Sequence, residues 1–282
     1  MTTNKSQYYR ELTPSGFGIA IKIKNVLFSE QSKYQKIEII DTDSQLGKMI
    51  TLNGLMYATE GDEYYYSEMV THVPLLNHKC PKNVLVIGGG TGATTKEILK
   101  HDTIEKVVIV DIDEMVVNTC RKYLPSISSG LDDPRVEVLI MDAFEYIKDK
   151  KDIFDVIIIC TPTPLGPGVG KFTNQFYDNI KAALRKNGIL VVQSESPVTK
   201  EEDSLSLYKL LLEEFNVVES YSSPLPTYPG GYWVWAICSD TSYPAEDIDE
   251  DRCEKISEQC KLYTKKYHAK CFKAPTLLDE LQ

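Results

Sequence analysis

The chain has 282 residues, of which 42% are apolar and 26% charged, and its net charge is −10. This composition excludes a disordered chain, a collagen and a disulfide-stapled miniprotein, while the length allows one large domain with a small appendage. An acidic chain without a basic block is poorly suited to nucleic acid or an anionic membrane, so we expect a small-molecule partner. No apolar run approaches the roughly 20 residues of a membrane span, and no apolar signal region is present, which predicts a cytoplasmic protein.

The first 60 or so residues are predicted to form β-structure. Partial alternation of apolar and polar residues covers Ile19–Ile23, Tyr34–Ile40 and Gly47–Leu52, with polar or glycine-containing turns between them. We expect a small N-terminal β-domain over residues 1–62.

The middle of the chain alternates apolar strands with amphipathic helices, which is typical of a parallel sheet covered on both faces. The predicted strands are Asn83–Gly88, Lys106–Asp111, Val136–Ile140, Phe154–Cys160 and Gly188–Val192. The predicted helices are Thr91–Lys100, Glu114–Tyr123, Ala143–Lys148 and Asn174–Lys186. Two closely spaced strands, Asn216–Tyr221 and Tyr232–Cys238, are expected to close this sheet as an antiparallel edge. We therefore predict a Rossmann-like α/β domain over residues 63–246.

Residues 247–282 are predicted to pack on that domain as one charged surface helix, Asp247–Tyr267, followed by a tail. The seven cysteines and four histidines are scattered along the chain without a C-x-x-C spacing. We therefore expect reduced thiols and no metal.

A glycine loop joins the first central strand to a helix and reads Gly88-Gly89-Gly90-Thr91-Gly92. Glycines let the backbone approach a ligand, and a helix N-terminus offers unsatisfied N–H groups. The pattern alone fits a dinucleotide site as well as a site for S-adenosylmethionine. Asp111 ends the next strand about twenty residues later, where a carboxylate can accept both ribose hydroxyls. Asp142 ends the third strand; one carboxylate there is usually a helix N-cap, but together these strand ends favour nucleoside binding.

Several motifs along the chain resemble those of the polyamine aminopropyltransferases, the spermidine and spermine synthase family. The segment from Thr59 to Met69 is similar to the family's T-E-x-D-E-F-x-Y-x-E-M, and it is followed by His72-Val-Pro-Leu75 and the glycine loop. The segments Gln193-Ser-Glu195 and Pro226-Thr-Tyr228-Pro229 also match. This resemblance implies a class I methyltransferase-like, seven-stranded fold with an N-terminal β-domain, and a homodimer.

The resemblance also assigns roles to individual residues. The donor nucleoside would be held by Gln35, Asp111 and Asp142. The other residues predicted to bind the donor are Gly88, Gly89, Gly90, Thr91 and Ala143. The acceptor tunnel would be lined by Tyr66 and Tyr228, although a buried core ring is the commoner role for a tyrosine.

The sequence departs from the family at the positions where the family has its catalytic acids. After the fourth central strand the family has D-S-S-D, whereas this chain has Cys160-Thr-Pro-Thr163. By resemblance, the first acid accepts the proton of the attacking amine and the second helps to hold a cationic polyamine. A thiol at an apolar strand end should have a raised pKa, and a threonine has no useful basicity. We therefore interpret Cys160 as a packing residue at a former catalytic position.

A third acid is missing from the glycine loop, where the family has G-G-G-D-G and this chain has Thr91. In the family this acid binds the amine end of decarboxylated S-adenosylmethionine. The intact donor carries a carboxylate in that region, and two carboxylates ~4 Å apart repel by roughly 4 kcal/mol at an effective dielectric constant near 20. Thr91 removes that repulsion, and Tyr57, where the family commonly has Gln, changes the same pocket floor. The lid-like segment that follows carries Lys171, which predicts an anionic or neutral acceptor.

Four functions remain open from the sequence. The first is transfer of the 3-amino-3-carboxypropyl arm of intact S-adenosylmethionine, used as a co-substrate, to a non-polyamine and even anionic acceptor. The second is methyl transfer from the same donor. The third is ordinary aminopropyl transfer, and the fourth is a non-catalytic ligand-binding subunit. The first is our leading interpretation, because four changes surround one pocket.

Overall fold

The computed structural model describes residues 7–13, 16–161, 172–194, 196, 201–241 and 248–273, and residues 201–204 by their backbone alone. Two sheets organise these residues, one of five strands and one of seven.

The N-terminal sheet is antiparallel and follows chain order. Its strands are β1 (Gln7–Leu12), β2 (Gly18–Gln31), β3 (Lys36–Thr42), β4 (Lys48–Leu52) and β5 (Leu55–Thr59). The sequence analysis missed β1 and β5. Strand β1 is mostly exposed and shows little alternation, while β5 follows a tight turn in which Asn53 and Gly54 both have positive φ, at 52° and 79°.

Helix α1 (Glu63–Asn77) begins directly after β5 and was also missed. Its residues from Ser67 to Asn77 are all buried, so the helix has no polar face to give a helical period. The helix packs against both α2 and the main sheet, which places its first turn beside the glycine loop.

The seven-stranded sheet has the order β11-β12-β10-β9-β6-β7-β8. Its strands are β6 (Asn83–Ile87), β7 (Lys106–Asp111), β8 (Val136–Ile140), β9 (Phe154–Ile159), β10 (Leu184–Gln193), β11 (Val217–Pro224) and β12 (Tyr232–Ser239). The strands β6 to β10 pair in parallel, while β12 is antiparallel to both of its neighbours. This confirms the predicted Rossmann-like sheet with an antiparallel edge.

Helices cover both faces of this sheet. They are α2 (Ala93–Ile98), α3 (Glu114–Tyr123), α4 (Pro125–Ser128), α5 (Ala143–Ile147), α6 (Asn174–Ala183) and α7 (Glu201–Glu214). A 3-10 turn covers Ser129–Asp132. Alternate residues of β6 point into two separate hydrophobic clusters, with Val84 and Val86 in one and Leu85 and Ile87 in the other. The helix predicted over Asn174–Lys186 ends earlier, because the chain enters β10 at Leu184.

The single C-terminal helix predicted over Asp247–Tyr267 is wrong. The structure has two helices, α8 (Glu250–Ser257) and α9 (Lys265–Cys271). Between them, the buried Glu68 carboxylate accepts hydrogen bonds from the backbone N–H groups of Lys261, Leu262 and Tyr263 at 2.8, 2.9 and 2.8 Å. These N–H groups are therefore unavailable to a helix. Within the described part of the chain, no helix is long and apolar enough to cross a membrane.

Candidate active site

The glycine loop lies between β6 and α2 and bends sharply. Gly88 and Gly89 both have φ of 76°, and Gly92 has φ of 86° where it caps α2. A Cβ atom on Gly90 would lie 2.5 Å from Oδ2 of Asp111. Glycine is therefore required at position 90, because the loop passes directly over the end of β7.

Asp111 ends β7 and is held by two backbone donors. Its Oδ2 accepts a hydrogen bond from the N–H of Gly90 and its Oδ1 accepts one from the N–H of Asp113, both at 2.9 Å. The N-cap of α3 is Asp113, which accepts from the N–H of Met115. Asp111 is therefore not a helix cap. Burial raises the pKa of Asp111, and the two N–H groups partly oppose this effect.

Two other residues that are predicted to bind the donor substrate, Asp142 and Gln35, also make hydrogen bonds within the protein. Asp142 caps α5, since its Oδ1 accepts from the N–H of Phe144 at 2.9 Å. The side-chain amide of Gln35 donates to Oδ2 of Asp113 at 3.1 Å. Both residues line the same cavity, as does Ala143 at the start of α5.

A cavity of about 450 Å³ runs from the glycine loop to the N-terminal sheet. We divide its lining by predicted role, and we call the part lined by the predicted donor-binding residues the donor half: Gln35, Gly88, Gly89, Gly90, Thr91, Asp111, Asp142 and Ala143. The other, the acceptor half, contains Tyr57, Tyr66 and Tyr228. Thr91 is 3% exposed and Cys160 lies in the same wall, so the altered positions face one space.

Hydrogen bonds tie together the tyrosines of the acceptor half. The hydroxyl of Tyr57 donates to the backbone carbonyl of Cys160 at 3.0 Å, and the hydroxyl of Tyr228 donates to the carbonyl of Tyr57 at 2.7 Å. The Tyr66 hydroxyl donates to Oε1 of Gln193 at 3.0 Å. Burial raises the pKa of both Tyr57 and Tyr66 well above its ordinary value, so neither is a base at neutral pH. These tyrosine rings form part of the cavity wall, and their hydrogen bonds hold them in place.

The Cys160 thiol is buried and lies 3.5 Å from the hydroxyl of Thr94. Burial raises its pKa to about 11, and contacts with Thr94 and Tyr66 only partly offset this rise. The thiol is therefore protonated at neutral pH and supplies no base. Thr163 and Lys171, the other altered positions of this region, lie outside the described residues.

Sequence reasoning missed several residues that line the cavity. Ile112 directly follows Asp111, and that adjacency was the available signal. Trp233 and Thr227 come from the β11–β12 region, more than 160 residues after Asp62 in the chain, yet Thr227 donates to the Asp62 carboxylate. No local sequence pattern predicts a contact between two residues so far apart in the chain.

Among the residues that the structure describes, one potential metal-ligand group lies outside this cavity. Ligand atoms of His72, Glu97 and Cys260 come within 4.8 Å of one another. The carboxylate of Glu97 already accepts from His72 and contacts the ammonium of Lys100. The expectation of no metal stays a prediction.

Comparison with known proteins shows which family has this architecture. A model described as spermine/spermidine synthase domain matches residues 63–250, and one described as spermidine synthase tetramerisation domain matches residues 7–60. The chain belongs to the spermine/spermidine synthase family. This confirms the resemblance seen in the sequence and makes the chain a member of a family of transferases.

Relatives and solved structures of this family align over nearly the whole chain. A polyamine aminopropyltransferase of a Thermoanaerobacter species is 39% identical over 274 residues, which cover 97% of this chain and 98% of the relative. The Clostridium kluyveri protein of the same name is 41% identical, with 92% and 93% covered. A spermidine synthase solved in complex with the transition state analogue AdoDATO has a TM-score of 0.93, with 34% identity and coverage of 98% and 95%. The spermidine synthase of Thermotoga maritima has a TM-score of 0.90, with 33% identity and coverage of 98% and 94%.

Proposed function

We propose that this chain transfers the 3-amino-3-carboxypropyl arm of intact S-adenosylmethionine to an acceptor that is not a polyamine. The observation that carries this proposal is that Thr91 and Cys160, which replace two acids of the family, both lie in the wall of one cavity. The resemblance gives the first acid a role in holding a decarboxylated donor and the second a role as base. A threonine and a protonated thiol can take neither role.

The donor half fits a sulfonium nucleoside. Asp111 has one hydrogen bond from a backbone N–H on each carboxylate oxygen, so further lone pairs remain to accept ribose hydroxyls. The Gly90 backbone lies against this carboxylate, and Ala143 and Ile112 offer an apolar wall for a base. Thr91 leaves the loop uncharged where the arm of the donor would carry its carboxylate.

In this reaction the acceptor nucleophile attacks the arm carbon that is bonded to the sulfonium. The carbon–sulfur bond breaks, the electron pair stays on sulfur, and methylthioadenosine leaves. Since Cys160 holds its proton, the acceptor must arrive with a free lone pair. An aliphatic amine, with a pKa of about 10.4 when unperturbed, arrives protonated at neutral pH and would need a base.

A second candidate is aminopropyl transfer from decarboxylated S-adenosylmethionine to a polyamine. It is favoured by the names of relatives that are 39% to 41% identical to this chain. Methyl transfer is a third outcome, which the same experiment separates from the other two.

The experiment is to incubate the protein with each donor and the small-molecule fraction of its source cells, and to identify the nucleoside product by mass spectrometry. We expect methylthioadenosine from the intact donor. S-adenosylhomocysteine would indicate methyl transfer, and methylthioadenosine from the decarboxylated donor alone would indicate aminopropyl transfer.

Other parts of the sequence analysis are kept as proposals. They are the division of the chain at residues 62 and 246, a cytoplasmic location and a homodimer; the match to a tetramerisation domain supports an oligomer. The anionic acceptor is not carried forward, because it depended on Lys171 and no described residue of the cavity wall is basic.

A further inference from the structure

The acceptor half of the cavity is negatively charged. Three acids line it, Glu11, Asp62 and Glu63, whereas no described residue of the cavity wall is a lysine, arginine or histidine. Lys96, which is not part of the wall, contacts Oε1 of Glu63 at 2.5 Å and balances that one charge. Among the described residues, Glu11 and Asp62 have no cationic partner. Because these two charges are unbalanced, this half of the cavity attracts a positively charged group.

Two of the three acids have a protein donor on each oxygen. Asp62 accepts at Oδ1 from the hydroxyl of Thr59, at 2.6 Å, and at Oδ2 from the hydroxyl of Thr227. Glu63 accepts at Oε2 from the hydroxyl of Ser67, at 2.6 Å, in addition to its contact with the lysine. Their carboxylates are therefore held at both oxygens.

Glu11 is held differently, because both of its donors meet the same oxygen. Its Oε2 accepts from the Tyr9 hydroxyl at 2.6 Å and from the N–H of Met56 at 2.8 Å. Burial raises the pKa of Tyr9 and the Glu11 carboxylate adds to this rise, so the hydroxyl keeps the proton that it donates. No described residue donates to Oε1 of Glu11, and this atom is accessible. The carboxylate is fixed through one oxygen and open at the other.

The side chain of Tyr57 separates Glu11 from the position of the lost catalytic acid. Met56, whose N–H holds Glu11, directly precedes Tyr57 in β5. The hydroxyl of Tyr57 donates to the carbonyl of Cys160 at 3.0 Å. A charged group bound at Glu11 therefore lies about the length of a tyrosine side chain away from Cys160.

We propose that Glu11 binds a positively charged end of the acceptor, and that the nucleophile is a second group at the other end of the same molecule. This inference deepens the proposed function and rests on it for the transferred arm. An ammonium or guanidinium group donates a charge-assisted hydrogen bond to Oε1. That group keeps its proton, because it is bound and does not attack. The acceptor is a small cation that carries a separate, uncharged nucleophile.

Three probes of equal chain length test whether positive charge is recognised. At neutral pH 1,4-butanediol is uncharged, 4-amino-1-butanol is a monocation and 1,4-diaminobutane is a dication. Each is titrated by calorimetry into the protein saturated with methylthioadenosine. We expect the amino alcohol to bind about tenfold or more tightly than the diol, because its ammonium group contacts Glu11. Binding of the diol that equals or exceeds that of the amino alcohol overturns the proposal, as does no binding of either cation.

Glu11→Gln tests the assignment without removing the hydrogen bonds that hold the residue. The amide oxygen can accept from Tyr9 and Met56, while the amide NH₂ group takes the place of Oε1 and cannot accept from an ammonium group. The variant should therefore fold. It should bind both cations about tenfold or more weakly than the wild type does, and the diol equally well. Unchanged affinity for the cations would overturn the assignment, and so would an equal loss for all three probes, which indicates a structural role.

The matched control is Glu60→Gln, which removes the same charge elsewhere. Glu60 does not line the cavity, and its carboxylate accepts from the N–H of Lys48 at 3.0 Å and from the hydroxyl of Ser126 at 2.9 Å. All three affinities should stay at their wild-type values in this variant. Equal effects of the two substitutions would show that the cations respond to the overall charge, and would overturn their placement at Glu11.

These outcomes are separate from the choice of donor. The probes are measured with methylthioadenosine bound, which both arm transfers release. If Glu11→Gln loses affinity for the cations but the protein prefers the decarboxylated donor, the proposed function is refuted and the role of Glu11 stands. If the protein prefers the intact donor but Glu11→Gln binds the cations normally, the reverse holds.

Discussion

The carboxylate of Asp111 accepts a hydrogen bond from the backbone of Gly90 at 2.9 Å, which fixes the end of β7 against the glycine loop. The next residue in that loop is Thr91, so the acid at the end of β7 that we propose for ribose binding and an uncharged side chain of the loop line the same cavity. This arrangement makes separate predictions for the nucleoside and for the arm of the donor.

Asp111→Ala should weaken S-adenosylmethionine binding by about 1.5–3 kcal/mol, because charge-assisted hydrogen bonds to the ribose are lost. Isothermal calorimetry measures this change. The control is Asp249→Ala: Asp249 caps α8 by accepting from the N–H of Arg252. The control should cost about 1 kcal/mol of stability and leave donor affinity unchanged. Unaltered affinity in Asp111→Ala would rule out the assignment.

Donor binding should depend on pH through the same carboxylate. Burial raises the pKa of Asp111 above its ordinary value of 3.8, so the carboxylate takes up its proton at a higher pH than an exposed aspartate does. Protonation removes an acceptor for the ribose, and affinity should therefore fall as pH is lowered from neutral toward 3.8. Titrations over this range should show the loss in the wild type and not in Asp111→Ala. A wild-type affinity that stays level would contradict this.

Thr91→Asp should shift donor preference toward decarboxylated S-adenosylmethionine. The new carboxylate attracts the ammonium group of both donors, but it repels the carboxylate of the intact donor alone. The ratio of the two dissociation constants should move by roughly tenfold, or about 1.4 kcal/mol. Thr91→Asn, which has a similar shape without the charge, should leave the ratio close to that of the wild type. If both variants change the ratio of the two dissociation constants equally, the charge at position 91 does not set the donor preference.

Cys160 should resist alkylation. Burial raises the pKa of its thiol from 9.0 to about 11, which lowers the thiolate fraction at neutral pH roughly a hundredfold. Cys80 is exposed and serves as the internal control. With iodoacetamide at pH 8, peptide mass spectrometry should find Cys80 labelled well before Cys160. Rapid labelling of Cys160 would restore it as a candidate nucleophile.

Glu97→Gln should destabilise the fold at neutral pH by about 2–3 kcal/mol. Burial alone would raise the pKa of Glu97, but hydrogen bonds and charge lower it to about 2. Burial lowers the pKa of His72 and keeps it neutral at pH 7, so the partners of Glu97 that stay charged are Lys100 and Lys96. A lowered pKa contributes stability that is present above pH 4.5 and is lost as pH falls toward 2.

Urea unfolding of the wild type and Glu97→Gln should therefore differ at pH 7 and converge in acid. Glu105→Gln is the control, because the Lys82–Glu105 pair lies at the surface, where such pairs contribute little. A constant difference at every pH would refute the account of Glu97.

The central sheet could be predicted from the sequence because its signals are local. The bounds of β7 and β8 were predicted correctly, since each strand is a short run with a turn at either end. The glycine loop and Asp111 follow from spacing, and their proximity in space is a consequence of parallel strands. Resemblance to the family added the tyrosines of the cavity.

Some features could not be predicted from the sequence. They depend either on contacts between residues that are far apart in the chain, or on elements that lack distinct polar and apolar faces. Helix α1 is fully buried from Ser67 to Asn77, so no helical period of polar and apolar residues marks it in the sequence. The break between α8 and α9 depends on Glu68, which lies 193 residues before Lys261. The state of the acids in the acceptor half depends likewise on partners such as Thr227, brought to Asp62 by the fold.

The central claim is tested most directly by measuring the affinity of the unmodified protein for both donors in parallel. Isothermal calorimetry with intact and decarboxylated S-adenosylmethionine requires no knowledge of the acceptor. The absence of an acid at Thr91 predicts that the intact donor binds more tightly. Tighter binding of the decarboxylated donor would contradict the account and favour aminopropyl transfer, despite the protonated thiol at Cys160.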